Sequence, residues 1–228
     1  MSDPLRLVVF DMDGTLIDSA AFIERAMSDA CGKVGRVAPT SQEVRSIIGL
    51  SLPETVAQLM PDLGPADRDA AVVHYRQSFI DMRARKGGEG ATPMYKGARE
   101  ALQVLQQSDE VLMGIATGKA RRGVDHAFAQ HDIGGYFVTV QTADSHPSKP
   151  HPSMLQQALR ETGAEAAQAV MIGDTSFDMA MGAAAGFKTI GVTWGYHSTN
   201  ALVQAGADVL IERFDQLQDA LSDVWGAT

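Results

Sequence analysis

Two aspartates one residue apart, Asp11 and Asp13, close an apolar run and are followed at once by Gly14 and Thr15. A second acidic pair, Asp174 and Asp178, follows another apolar run, with Gly173 between run and pair. Carboxylates brought close repel, and a divalent cation with oxygen ligands is the usual means of keeping them ionised. Each pair taken alone has a plainer use. Asp-Gly is a common turn pair, aspartate caps helices, and acids four apart share one face of a solvated helix. Placed together at the ends of two apolar runs, the four carboxylates read as a magnesium site.

Two donor-bearing stretches accompany them. ATGK, Ala116 to Lys119, offers the Thr117 hydroxyl and the Gly118 and Lys119 amides as a nest for phosphate oxygens at a helix start; a capped loop is the alternative. HPSKPHP, His146 to Pro152, holds Lys149 between prolines that stiffen the loop. A surface charge is the ordinary fate of such a lysine, but a fixed ammonium is also what an anionic nucleophile and a phosphate require to approach each other.

Those residues need elements to hold them. Apolar runs predict strands at Leu5–Phe10, Val111–Ala116, Tyr136–Val140, Ala169–Ile172, Lys188–Val192 and Ala207–Ile211, with helical patterns between most of them, at Ala98–Gln107, Gly123–Gln130, Ser153–Thr162 and Asp178–Ala185. Continuous apolar strands alternating with helices predict an α/β fold, a doubly wound (Rossmann-like) parallel sheet buried on both faces. In such sheets ligands bind beyond the carboxyl ends of the strands, where Asp11 and Asp13 stand. From about Ala20 to Arg85 the rhythm breaks into helical patterns without a convincing strand. A block that long cannot be an ordinary strand-to-helix connection, so it reads as an inserted helical cap subdomain. The expected division is 1–18 with 88–228 as the core and 19–87 as the cap, with the glycine-rich stretch from Gly87 to Gly97 as the return linker.

Composition narrows the function. The 228 residues, 45% hydrophobic and 21% charged, suit a globular protein with a sizeable core. No apolar run approaches the roughly 20 residues that span a bilayer, and the first residues lack a secretory pattern, so a cytoplasmic protein with no membrane partner is expected. Cys31 is the single cysteine and fits packing in a reducing compartment. A net charge of −9 without clustered Lys and Arg argues against nucleic acid as a partner. An acidic protein acting on an anion needs local positive charge somewhere. The six histidines show no metal-ligand spacing.

Together DMDGT with Asp11 and Asp13, Thr117 in IATGK, Lys149 in SKPHP, and GDTSFD with Asp174 and Asp178 resemble the four motifs of the haloacid dehalogenase-like hydrolases, in order. The insertion point resembles that of the helical-cap subfamily, and the run FDMDGTLIDS followed by KPHP is similar to phosphoglycolate phosphatases and their relatives. The resemblance implies a magnesium-dependent phosphatase acting on a small phosphorylated metabolite, as a monomer or homodimer. Asp11 would be the nucleophile, Asp13 the general acid and base, and Thr117, Gly118 and Lys149 the phosphoryl-holding groups. Mg²⁺ would be held by Asp11, the Asp13 carbonyl and Asp174, with Asp178 beside it as a ligand or as support for one.

Relatives on the same core mark the alternatives. Dehalogenases lack the second acid of the first motif, so Asp13 with Asp174 favours phosphoryl chemistry. A sugar-phosphate mutase shares every core motif. A phosphonatase needs a cap lysine, for which Lys33 stands in the first half of the cap. A partner-binding protein without catalysis is the non-enzyme alternative. In the cap, Arg45, Ser51 and the group Arg83, Arg85 and Lys86 are candidates to meet an anionic substrate, each with a solvated surface as its plainer use. Trp194, Tyr196 and His197, after the fifth strand, are candidates for the rim of the site, with packing of their own loop as the plainer use.

Overall fold

The computed structural model describes residues 4–85 and 92–226. Six strands, β1 (Arg6–Phe10), β2 (Val111–Thr117), β3 (Thr139–Thr142), β4 (Ala169–Gly173), β5 (Lys188–Val192) and β6 (Val209–Ile211), form one sheet in the order β3-β2-β1-β4-β5-β6. All pairings are parallel. The expected doubly wound α/β sheet is what the chain forms. β1 and β4 are the innermost strands, and apart from Arg6 at the start of β1 each reads as apolar sequence because both faces are covered.

Side chains alternate between those faces. Val8 and Phe10 join the core under α5 (Ala98–Gln106), α6 (Arg121–His131) and α10 (Leu217–Trp225). Leu7 and Val9 join the core under α7 (Ser153–Thr162) and α8 (Ser176–Ala185). The period of two along the strand thus feeds two separate cores from five residues.

Two strands start later than expected. The run Tyr136–Val140 yields its first residues to a tight turn at Gly134–Tyr136, and Phe137 stacks on Phe128 at 5.3 Å, so pairing begins at Thr139. Ala207–Ile211 shortens because the Asp208 carboxylate accepts bonds from the Thr189 amide at 2.8 Å and hydroxyl at 2.9 Å, replacing ladder pairing at that end. α8 begins before Asp178 because Thr175 and Asp178 close a reciprocal capping box at its start.

Between β1 and β2 the chain forms α1 (Ala20–Lys33), α2 (Ser41–Arg45), α3 (Leu52–Leu59) and α4 (Pro65–Arg85). No strand lies among them. They share a third core of their own, in which Phe22 and Tyr75 both meet Phe79 at 5.7 Å. The chain leaves and returns to the sheet side by side: Asp18 N–H donates to Pro93 O at 2.9 Å and Tyr95 N–H to Leu16 O at 3.0 Å. Met94 bridges Ile17 antiparallel between them. The expected linker is therefore paired from Pro93 onward, while the boundary at 87 and 88 lies outside the described residues. Among the described residues no helix is long and apolar enough to cross a membrane.

Candidate active site

The sheet order places the site. From β1 the chain winds outward to β2 and β3, then crosses back to β4 on the other side of β1. The crevice at this reversal opens beyond the carboxyl ends of β1 and β4. Asp11 and Asp13 follow β1, Thr117 ends β2, and Asp174 follows β4. Asp11, Thr117, Lys149, Asp174 and Asp178 are all buried, and Asp13 is 8% exposed.

Lys149 is fixed between two carboxylates, with Nζ 2.9 Å from Asp11 Oδ1 and 2.6 Å from Asp178 Oδ1. Asp178 Oδ2 accepts the Thr175 amide and hydroxyl at 3.1 and 2.7 Å, so the helix cap also orients the carboxylate that holds the lysine. Asp174 Oδ1 accepts from the Thr15 hydroxyl at 2.9 Å and Oδ2 from the Tyr196 amide at 2.9 Å. Glycine is required around it: a Cβ on Gly14 would lie 2.2 Å from Asp174 Oδ2, and one on Gly195 2.1 Å from Asp174 Cβ. Gly14 also has φ +90°, which side-chain-bearing residues rarely adopt.

Asp13 is held by two groups that sequence reasoning left aside. Lys119 Nζ lies 2.8 Å from Asp13 Oδ2, and the Ser19 hydroxyl donates to Oδ1 at 2.5 Å. Only the amide of Lys119 was expected to act; its position directly after Thr117 and Gly118 at a strand end was the available signal. Gly118 permits the cap to approach, since a Cβ there would stand 2.4 Å from the carbonyl oxygens of Gly49 and Leu50.

The cluster suits a divalent cation. Asp11, Asp174 and Asp178 each present an oxygen within 4.8 Å of the others. Neither oxygen of Asp11 has an aligned hydrogen-bond partner among the described residues, and both are buried. Burial pushes the Asp11 carboxyl up to about 7, against the pull of Lys149 and with Asp178 and Asp13 adding to the push. Burial, Asp178 and Asp11 likewise drive Asp174 well above its ordinary value. Buried hard oxygens of this kind are the donors that Mg²⁺ or Ca²⁺ takes.

Asp11, Asp13, Thr117, Gly118 and Lys119 open onto a cavity of about 630 Å³ beneath the helical block. Its other walls are apolar residues of α1, α3, α4 and the loop Ile47–Leu50, together with Thr55, Tyr75, Arg76, Arg83, Arg122 and Asp144. Of the expected cap candidates, Arg83 lies in this wall. Arg45 does not: its guanidinium is tied to Glu24 Oε1 at 2.8 Å on the surface. Ser51 is also outside the wall and docks cap to core, its amide donating to Ser148 Oγ at 2.8 Å. The side chain of Arg85 and the whole of Lys86 lie outside the described residues. Tyr75, Phe79 and Arg83 repeat every fourth residue along α4, a helical stripe readable in sequence but indistinguishable there from core packing.

The rim residues have defined contacts. Trp194 Nε1–H donates to Thr15 O at 3.1 Å, and the Tyr196 hydroxyl accepts the Ser19 amide at 3.2 Å. His197 spans the crevice, one ring nitrogen on Ser176 at 3.1 Å and the other on the Ser46 carbonyl at 3.2 Å.

Comparison with known proteins shows the family and agrees with the fold. A family model described as haloacid dehalogenase-like hydrolase matches residues 8–192. A phosphoglycolate phosphatase of Photobacterium profundum is 30% identical over 226 residues, covering 95% of this chain and 96% of the relative. A probable phosphatase of Dickeya dadantii is 32% identical over 216 residues, covering 94% and 92%. The crystal structure of a hydrolase from Pseudomonas syringae superposes with a TM-score of 0.84 at 20% identity, covering 97% of this chain and all of that one (100%).

Proposed function

The chain belongs to the haloacid dehalogenase-like hydrolase family, and from that premise we propose a magnesium-dependent phosphatase that cleaves a small phosphate monoester through an aspartyl phosphate. It is an enzyme of the phosphoglycolate phosphatase-like kind. The observation that carries the mechanism is the buried Lys149 ammonium between Asp11 and Asp178, behind the crevice that Asp11 and Asp13 line.

Asp11 attacks phosphorus in line, and the ester P–O bond breaks as the new Asp11–phosphorus bond forms. Asp13 gives its proton to the departing alkoxide oxygen. It then takes a proton from the water that attacks the aspartyl phosphate, which releases inorganic phosphate and restores the Asp11 carboxylate. Ser19 and Lys119 fix the Asp13 carboxylate in one orientation for both transfers. Lys149 and the Thr117 hydroxyl offset and position charge on the transferring oxygens. Asp11, Asp174 and the Asp13 carbonyl would hold Mg²⁺, which supplies charge neutralisation at the phosphoryl group, with Asp178 supporting through Lys149.

Residues 19–87 act as a cap over residues 1–18 and 88–228 in this reading. The cap excludes water and surrounds the leaving group. The phosphonatase alternative gains nothing from Lys33, which is exposed at the end of α1 and outside the cavity wall. No observation favours a mutase or a partner-binding protein over hydrolysis. Phosphate release from a panel of small phosphate esters, with and without Mg²⁺, tests the proposal. Metal-dependent release is expected; a panel without any turnover would overturn it.

A further inference from the structure

The cavity is larger, greasier and more positively charged than hydrolysis of a very small ester requires. At ~30 Å³ per non-hydrogen atom, the share of a water molecule in the liquid, a two-carbon phospho-acid of about nine such atoms fills under half of the space. The observed 630 Å³ is in the range of pockets that enclose much larger ligands. Ile23, Met27, Ile47, Leu52 and Phe79 supply apolar wall that such a substrate would leave facing water.

Four cations, Arg76, Arg83, Lys119 and Arg122, line the cavity with three carboxylates, Asp11, Asp13 and Asp144, and Lys119 pairs with Asp13. Arg83 from the cap helix α4 and Arg122 from the core helix α6 line both the cavity and a side chamber of about 250 Å³ that they share with Ile80 and His126. Many arginines of this chain are occupied: Arg25, Arg36, Arg45, Arg121 and Arg213 each pair with a carboxylate, and Arg68, Arg99 and Arg160 donate to carbonyl or side-chain amide oxygens. Among the described residues the cavity arginines Arg76, Arg83 and Arg122 do neither; the Arg83 guanidinium lies 4.7 Å over the Phe79 ring instead. Burial holds Arg83 below its ordinary value, Asp13 and Tyr75 counter that push, and Arg122 adds to it. Two like charges from opposite sides of a crevice, one of them half-buried, are costly without an anion between them. In a chain of net charge −9 this is the local positive field that an anionic ligand needs.

Resting on the phosphatase reading, we propose that the leaving group has an apolar body and a second anionic group, carboxylate or phosphate, that bridges Arg83 and Arg122. Phosphate sits over Asp11, the apolar body runs along Phe79 and Met27, and the far anion ties α4 to α6. The substrate itself thereby draws the cap helix onto the core. Guanidinium groups suit this task because they hold carboxylate and phosphate alike in paired hydrogen bonds.

Four esters separate the possibilities: phosphoglycolate, hexyl phosphate, the phosphate ester of the six-carbon ω-hydroxy acid, and the bisphosphate of the six-carbon diol. With Mg²⁺ present, kcat/KM for at least one of the two long esters that carry a second anionic group is expected to exceed that for both hexyl phosphate and phosphoglycolate by about tenfold or more. The better of the two names the far group. Arg83→Gln and Arg122→Gln should each erase most of that advantage over hexyl phosphate, while Arg83→Lys keeps part of it. Preference for phosphoglycolate, equal turnover of hexyl phosphate and its charged analogues, or an Arg83→Gln loss that is the same for every ester would overturn the assignment while leaving the phosphatase in place. Failure on all four, and on the wider panel, would overturn the phosphatase reading and this one with it.

Discussion

At the scale of single residues, the site is a chain of dependencies centred on Lys149. Asp11→Asn removes the attacking oxygen while keeping the shape of the side chain. Turnover should fall by more than about a thousandfold with the circular dichroism spectrum unchanged, and residual activity within about tenfold of wild type would sink the nucleophile assignment. Lys149→Met leaves Asp11 and Asp178 buried without their shared counter-ion. Breaking a buried pair in this way should cost about 3–5 kcal/mol in urea unfolding, together with loss of activity. Asp11, Asp13 and Asp174 were legible in sequence because each directly follows its strand, so a local pattern fixes where it stands. Lys149 was legible from its loop and its likeness to a known motif. The partners of Asp13 were not: the Lys119 side chain folds back across the crevice, and Arg122 meets Arg83 only when two helices far apart in sequence are assembled.

At the scale of elements, two short features decide how loops meet. Gly118→Ala would drive a methyl group into the backbone oxygens of Gly49 and Leu50, so the cap loop must retreat. Because misplacement by about an ångström is costly to alignment, a fall in kcat/KM of about tenfold or more is expected, without a comparable fall in melting temperature. Thr175→Ala removes the side chain that caps α8 and steadies Asp178. About 1 kcal/mol of stability should be lost, and with it the fixed hold of Asp178 on Lys149. Element type was legible nearly throughout the core, since the apolar runs and helical periods agree with what forms. Element ends were less so. β3 starts only at Thr139 because Phe137 stacks on a helix, and Asp208 delays the start of β6 through a bond to its neighbour. Neither contact is written in the local pattern.

At the scale of the molecule, the acidic cluster couples stability to pH and metal. Asp11, ordinarily near 3.8, is pushed up to about 7, and Asp174 is driven up as well. The folded chain therefore holds protons that the unfolded chain releases first. Without metal, the stability Asp11 contributes is complete below its unfolded value and is lost as pH rises through about 7, and the raised Asp174 acts in the same direction. A divalent cation held by the cluster would replace those protons. Chelated protein should accordingly gain more in melting temperature from added Mg²⁺ at about pH 8 than at about pH 5. An equal gain at both would remove the carboxylates as the metal's seat.

The pairing of Leu16–Asp18 with Pro93–Tyr95 has a consequence for how such a protein changes over generations. Because the outgoing and returning chain are already stitched together, the sheet sees only two adjacent ends, whatever is carried between them. A lineage can lengthen, shorten or exchange that intervening segment without disturbing a single strand register. Selection for a new leaving group can thus act mainly on that one stretch of the gene, with Arg122 the core residue that must keep in step, while the residues that handle phosphate stay on the other.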